Sequence, residues 1–441
     1  MSGADTIFAL SSGPPPAGVA VVRVSGPGVR FGLETLVDSV PEPRKVSLRL
    51  IRGNGERIDR GLVLFFPAPA SFTGEDVAEL HLHGGRAVIM SVVAELTRLG
   101  FRPAEPGEFT RRAFINHRMD LTQVEGLADL VAAETEAQRR QALRQADGLL
   151  RDLYEGWRAR LLRARAMVEA ELDFAEDEDV PPSAGAEAWL DLEALAVEIG
   201  SHLDDNERGE RLRLGAEIVV AGPPNAGKSS LINALARRDV AIVAPEPGTT
   251  RDLIEVRLDL GGYPVSLVDT AGLREAKGAV EAEGIRRAEE RARAADLVLW
   301  LCDMSGPPAD PPGDLKTRVL RVGTKADLVD SAEERTRLAA GFEVTISTVS
   351  GVGMETLLAE LEGFVRSAFS PGESPLITRS RYRHALASCR ASILAARSTA
   401  GGPEVVAEEL RRATDALGRI TGRIDVEDLL DVIFREFCIG K

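Results

Sequence analysis

Cysteine and lysine are the two scarcities of this 441-residue chain. Three cysteines, none in C-x-x-C spacing, exclude a disulfide framework and fit a reducing cytosol. The lysines are Lys45, Lys228, Lys277, Lys316, Lys325 and Lys441 only, against abundant arginine. In such a composition a position that needs only positive charge becomes arginine, so a retained lysine deserves attention as a residue. No apolar run reaches the length of a membrane span, and Met1-Ser2-Gly3-Ala4-Asp5 lacks the basic start of a signal peptide. A cytoplasmic protein with no membrane partner is expected. The formal net charge of −15 argues against a chain that grips nucleic acid by itself through a broad basic face. It leaves room for local basic patches or a basic partner. With 44% hydrophobic and 28% charged residues, the composition is that of an ordinary globular protein. The length calls for two or three domains.

What is present is a phosphate-binding loop. Gly222-Pro223-Pro224-Asn225-Ala226-Gly227-Lys228-Ser229 fits G-x-x-x-x-G-K-[ST], between an apolar strand (Ile218 to Ala221) and a helix (Ser230 to Leu235). Glycines let consecutive amides point into one concavity, a nest for phosphate oxygens. The helix N-terminus adds positive partial charge. Lys228 reaches the β/γ-phosphates and Ser229 offers a hydroxyl to Mg²⁺.

The companions follow in the order a GTPase needs. Ala244-Pro245-Glu246-Pro247-Gly248-Thr249-Thr250 precedes a strand whose apolar residues alternate from Ile254 to Leu260 and end at the Gly261-Gly262 hairpin turn. The Thr250 hydroxyl closes on Mg²⁺ only when a γ-phosphate is present, which makes this loop a switch. Asp269-Thr270-Ala271-Gly272 ends the next strand, its carboxylate holding the Mg²⁺ shell and the Gly272 amide meeting the γ-phosphate. Thr324-Lys325-Ala326-Asp327 and Ser347-Thr348-Val349 complete the GTP-binding set. The Asp327 carboxylate accepts guanine N1–H and the exocyclic amine together, and a site built around such groups rejects bases lacking them. The usual Asn of N-K-x-D is Thr324 here, which weakens the contact to guanine N7.

Residues 1–118 read as mixed α/β, with strands at Val19 to Val24, Gly61 to Phe66 and Val77 to His83. His81 and His83 share one strand face, but with no third ligand the pair reads as structural. From Asp120 to Glu171 the period is helical, an acidic break follows, and Trp189 to Leu214 is helical again. A P-loop domain at 214–370, a mostly parallel doubly wound sheet, ends on a helix from about Gly353 to Phe369. After the linker at Pro371-Gly372 and Pro375, helices resume from Ser380, with Gly422 as a C-cap and Asp425 as the next N-cap. Helices at 119–213 and 371–441 thus suggest one helical domain into which the GTPase domain is inserted.

Outside the GTPase motifs, five segments carry a resemblance over essentially the full length. They are Ser71-Phe72-Thr73-Gly74-Glu75-Asp76, His83-Gly84-Gly85, Pro106-Gly107-Glu108-Phe109, Arg112-Ala113-Phe114 and the terminal Phe437-Cys438-Ile439-Gly440-Lys441. With them the chain resembles the tRNA-modification GTPase family MnmE (TrmE). The resemblance implies an N-terminal folate-binding domain that dimerises, a helical domain and an inserted G domain. It also implies an FAD-dependent partner, MnmG (GidA), in a heterotetramer that modifies C5 of the wobble uridine of certain tRNAs. Folate contacts fall by resemblance on Arg23, Glu79, Arg118 and Lys441, with 5,10-methylene- or 5-formyl-tetrahydrofolate as the one-carbon source. The family usually has lysine at the position of Arg118. Cys438 is then a nucleophile toward C6 of the uridine or toward a bound one-carbon unit, with a buried free thiol as the alternative. Cys302 reads as core.

Many GTPases orient the attacking water with a glutamine after the D-T-A-G segment. Leu273 stands there, and the resemblance gives the role to Glu281. It also places K⁺ beside the phosphates, held by the Asn225 side chain and by oxygens of Ala244, Glu246 and Thr249, to supply transition-state charge. Two G domains meeting across their switches would complete the site. The competing reading is a ribosome-assembly or signalling GTPase whose flanking domains merely bind RNA or protein.

Overall fold

The computed structural model describes residues 5–173, 182–205, 207–238, 240–242, 255–269, 290–307, 309–313, 315–329, 331–369, 377–399, 402–424, 427–435, 437 and 439–440. The chain divides into two compact units, one of Met1–Ala128, Arg144–Glu193 and Ala391–Lys441, the other of Asp129–Leu143 and Ala194–Arg390.

The first unit holds a six-stranded sheet. Its strands are β1 (Ile7–Leu10), β2 (Ala17–Ser25), β3 (Ser47–Gly53), β4 (Glu56–Phe66), β5 (Val77–Gly84) and β6 (Arg102–Pro103), in the order β3-β4-β5-β2-β1-β6. Every pairing is antiparallel except β1 with β6. Period-two alternation in β5 sends Ala78, Leu80 and Leu82 into the core with α1 (Val29–Val37) and α2 (Arg86–Arg98). Glu79, His81 and His83 therefore share the opposite face. His81 Nε2 lies 3.3 Å from Glu79 and His83 Nδ1 2.8 Å from Asp59, the structural role expected. Among the described residues no group of three or more metal-ligating side chains is placed to hold an ion.

α3 (Glu108–Ile115) starts at Gly107, whose φ of +69° suits glycine. A Cβ there would come within 2.7 Å of Phe434 O. The helical expectation from Asp120 onward resolves into α4 (Leu121–Ala132), α5 (Glu136–Ala146) and α6 (Leu149–Asp173), the last two separated at Gly148, φ +100°. Likewise the stretch from Trp189 becomes α7 (Pro182–Leu203) and α8 (Arg208–Leu214), separated at Glu207, a left-handed residue. Within the first unit α6 packs along the later helix Gly402–Thr421. Leu121, Val124, Leu430, Ile433, Phe434 and Phe437 form one apolar cluster that seats the helix Glu427–Arg435.

The second unit holds β7 (Ala216–Ala221), β8 (Glu255–Leu260), β9 (Tyr263–Asp269), β10 (Leu297–Asp303), β11 (Arg318–Thr324) and β12 (Val344–Thr345). Their order is β12-β11-β10-β7-β9-β8, parallel throughout except for β8. The helices α9 (Lys228–Ala236), α10 (Ala332–Ala339) and α11 (Met354–Phe369) belong to this unit. Strands buried on both faces read as nearly continuous apolar runs: Ile218, Val219, Val220, Leu297, Val298 and Leu299 are all buried. The β8–β9 turn uses Gly261 (φ +62°) and Gly262 (φ +89°), and Gly262 O accepts a bond of 3.0 Å from Ala137 N at the start of α5. α12 (Ser380–Ser398) runs through both sets of residues; α13 (Gly402–Thr421) and α14 (Glu427–Arg435) follow, Gly422 at φ +82° being the expected stop after α13. Asp425 lies outside the described residues. Among the described residues no helix is long and apolar enough to cross a membrane.

Candidate functional site

In a parallel sheet the loops at the carboxyl ends of the strands converge on one crevice, and four of the expected segments meet there. Gly222 leaves β7 at φ +141°, where a Cβ would run into Leu301 O. Asn225 is exposed at φ +62° and Gly227 at φ +90°, so the loop curls before α9 begins at Lys228. Lys228 is buried, and its Nζ donates to Gly222 O at 3.0 Å and Pro223 O at 2.8 Å. Ser230 follows, exposed on the first turn of α9. The Ser229 hydroxyl donates to Asp269 Oδ2 at 2.9 Å, and Asp269 is wholly buried at the end of β9. A hydroxyl from the first turn of α9 and a carboxylate from the end of β9 form the hard-oxygen set Mg²⁺ takes. The donor set fits that ion.

On the base side, Thr324 ends β11 and is 3% exposed. Its Oγ1 has two carbonyl acceptors for its one proton, Ala226 O of the phosphate loop at 2.8 Å and Cys302 O at 3.1 Å. Lys325 is left-handed at φ +57°, and its Nζ meets Asp303 Oδ2 at 2.6 Å. Burial pushes the Asp303 carboxyl up, but the bonds from Lys325 and Ser305 outweigh it and hold it below the ordinary value. Ala326 N donates to Ile346 O, pinning the turn Ala326–Leu328 on which Asp327 is exposed. Ser347 is buried and its Oγ accepts from Val349 N and Ser350 N at 3.2 and 3.0 Å, shaping the loop that carries Thr348 and Val349. Cys302 is buried in β10, as expected, with Sγ 3.1 Å from Ala309 O. Ala244, Pro245, Glu246, Pro247, Gly248, Thr249, Thr250, Thr270, Ala271, Gly272, Leu273 and Glu281 lie outside the described residues, as do Cys438 and Lys441.

A second constellation sits on the sheet of the first unit. Arg23 on β2 stands opposite Glu79 on β5. Its Nε and NH2 donate to Glu79 Oε1 at 3.1 and 2.9 Å, each side chain about one-fifth exposed. Phe72 and Phe109 flank the Arg23 guanidinium, with ring centroids at 5.5 and 5.8 Å. Arg118 is exposed, and its stem lies beside Gly74 of the same loop that supplies Phe72. The accessible carboxylate, already paired with one cation, suits the paired donors of a pterin. The end of the chain comes close as well. Ser11 Oγ donates to Gly440 O at 3.0 Å, and Gly440 (φ +99°) has no room for a Cβ against Leu10 O. Ala9, two residues before Ser11, is the β1 partner of Arg23. Gly440 thus reaches the edge of β1 within one chain.

Arg112 is the residue sequence reasoning quoted without a role. It is buried, and its guanidinium bonds Glu75 (3.1 Å), Glu108 (3.0 Å) and Asp5 (2.8 Å). Three of the motif segments are therefore one ionic cluster, which locks the loop of Phe72 and Gly74 to the start of α3. The spacing of Arg112, four residues from Glu108 and so one helical turn, was the available signal.

Among solved structures, the G domain of the T. maritima FeoB iron transporter is 26% identical over 34% of this chain and 98% of that chain, with a TM-score of 0.24. The profile described as "GTP-binding protein TrmE N-terminus" matches residues 6–118, and that described as "MnmE helical domain" matches residues 121–438. The tRNA modification GTPase MnmE of Mesorhizobium japonicum is 54% identical over the whole of both chains. That of Parvibaculum lavamentivorans is 54% identical over 99% of this chain and 100% of the relative. The chain belongs to the MnmE family of tRNA modification GTPases.

As an MnmE-family protein it is a P-loop GTPase, with GTP as substrate. The start of α9 and the end of β9 bring the Ser229–Asp269 pair and the Lys228 ammonium together. Asp303, which pairs with Lys325, was not singled out from sequence. Its signal is its place at the end of an apolar strand, in the position that faces Lys325.

Proposed function

We propose that this GTPase acts in the modification of tRNA. With an FAD-dependent partner of the MnmG (GidA) type, in a heterotetramer, it adds an aminomethyl or carboxymethylaminomethyl-type group to C5 of the wobble uridine, in the cytoplasm. The observation that carries the reading is the seating of Gly440 on Ser11, one strand from the Arg23–Glu79 pair. A chain end bearing a thiol and a cation, bound beside a half-buried carboxylate–guanidinium pair, is poor core material and good active-site material.

Residues 1–118 are the folate-binding and dimerisation domain in this proposal, 119–213 and 371–441 the two parts of the helical domain, and 214–370 the G domain. Arg23, Glu79, Arg118 and Lys441 hold a tetrahydrofolate, which supplies the one-carbon unit when bound. Glu79 orients the pterin through its donors and the cations meet the glutamyl carboxylates. Cys438 is, in this proposal, a nucleophile toward that unit or toward C6 of the uridine. A homodimer is supported by Leu48 and Leu62, exposed apolar residues facing one another on β3 and β4, on the sheet face that also carries His81.

In the G domain, Lys228 leaves the loop carbonyls for the phosphate oxygens, and the loop amides cradle them. Ser229 and Thr250 would hold Mg²⁺, with the Asp269 carboxylate beside Ser229 adding negative charge to the site. The Asn225 side chain and oxygens of Ala244, Glu246 and Thr249 hold K⁺, whose charge offsets that developing on the phosphates. Glu281 orients the attacking water, and Asp327 selects guanine.

Mass spectrometry of wobble uridine tests the reading in a deletion strain complemented with wild type, Cys438→Ser or a chain lacking Lys441. Wild type restores the modification, and neither variant does, although both hydrolyse GTP normally. Full modification in the uncomplemented deletion strain would remove the proposal.

A further inference from the structure

We infer that Thr324 takes over the phosphate-loop tether and leaves guanine N7 unread, so this GTPase selects its base without a contact to N7. The inference rests on the guanine reading of the site. A threonine hydroxyl carries one proton. Here that proton has two backbone acceptors, Ala226 O at 2.8 Å and Cys302 O at 3.1 Å, and the side chain is buried. Whichever carbonyl takes it, none remains for a ligand. Guanine N7 is an acceptor, so the lone pairs left on the Thr324 oxygen have nothing to offer it. An asparagine amide at this position brings two protons, one for the loop carbonyl and one for N7. Neighbouring donors are engaged too. Lys325 Nζ is on Asp303, and the Val349 and Ser350 amides are on Ser347 Oγ.

What Thr324 does instead is positional. Ala226 immediately precedes Gly227 and Lys228, and the bond from the end of β11 fixes the carbonyl of the residue at which the loop turns into α9. Base loop and phosphate loop are thereby held at one spacing, which matches a nucleotide of fixed length.

The test compares binding of GDP and 7-deaza-GDP, which lacks the N7 acceptor, by calorimetry on the full-length protein with Mg²⁺. Wild type binds the two within about twofold. Thr324→Asn prefers GDP by about fivefold or more, the worth of one ordinary hydrogen bond. Thr324→Val, of the same shape without the hydroxyl, weakens both ligands equally, by about tenfold. Amide exchange across residues 222–230 quickens in that variant, and Thr324→Ser restores most of the loss. A fivefold or greater preference of wild type for GDP would overturn the inference, and needs no variant. Equal binding of both ligands by Thr324→Asn would show that this position does not reach N7. Wild-type affinity in Thr324→Val would remove the tether. Failure of wild type to bind GDP at all strikes the guanine reading instead.

Discussion

At the scale of single residues, the two halves of the molecule use charge differently. Asp327 is exposed and, among the described residues, makes no ion pair, which suits the base-reading role proposed for it. Asp327→Asn is expected to lower GTP affinity by a factor of about thirty to a thousand, the cost of a charge-assisted bond plus an unpaired donor, and to erode the preference over other nucleotides. A competition assay with GTP and ATP reads both effects. Arg112, by contrast, is spent inside the first unit on Glu75, Glu108 and Asp5. Burial pushes Glu108 up, but bonds from Arg102, the Glu105 amide and Arg112 outweigh it and hold the carboxyl below its ordinary value. Asp5 is held low in the same way, by Arg102 and Arg112 against burial. Carboxyls with lowered folded values stabilise the fold above their unfolded values, and that stability is lost as pH falls through the folded ones. Melting temperature is therefore expected to drop steadily below about pH 4.5, the ordinary value for Glu108. Glu108→Gln should melt lower than wild type at neutral pH and flatten the decline. A variant that keeps the full acid slope would show that other groups cause it.

At the scale of elements, glycines decide where helices begin and strands end. Gly107 lets α3 start against the backbone of Phe434, and that contact helps seat α14, after which Gly440 meets Ser11. Gly107→Val is expected to cost about 2–4 kcal/mol from overpacking and a strained left-handed residue. It should abolish tRNA modification while GDP affinity stays within about twofold; lost GDP binding would contradict the separation. Much of this architecture was legible in the sequence. The G-domain strands showed because parallel strands are apolar runs, and the phosphate loop because its glycines are fixed by sterics. β1, β3 and β6, and the helices α1 to α3, carried no such mark. β6 is two residues of edge pairing, and β3 alternates weakly because its outer face keeps Leu48 exposed. The breaks at Gly148 and Glu207 were hidden because helical periodicity continues across them and only the backbone angle changes. Within the site, motif residues announced themselves, whereas Asp303 and Ser11 act through partners distant in sequence.

At the scale of the whole molecule, two chemistries on separate sets of residues predict separable defects. Turnover of GTP is expected to be at least tenfold faster in K⁺ than in Na⁺ at equal ionic strength, and Asn225→Ala should erase the difference, because Leu273 stands where glutamine serves elsewhere. Equal rates in both salts would remove the ion from the proposal. One small contact extends the G domain's reach beyond its own sheet. The ribbon of β8 and β9 joins at one end the two segments expected to respond to the γ-phosphate, and at the other its Gly262 carbonyl takes the amide of Ala137, in the first turn of α5. That amide is one of the orphan donors every helix start must satisfy. A tug on either strand is thus transmitted as a fraying or tightening of the first turn of a helix that lies outside the nucleotide fold. Ala137 becomes a gauge needle: its proton should exchange with solvent at a rate set by whether the crevice, a full strand length away, holds a diphosphate or a triphosphate.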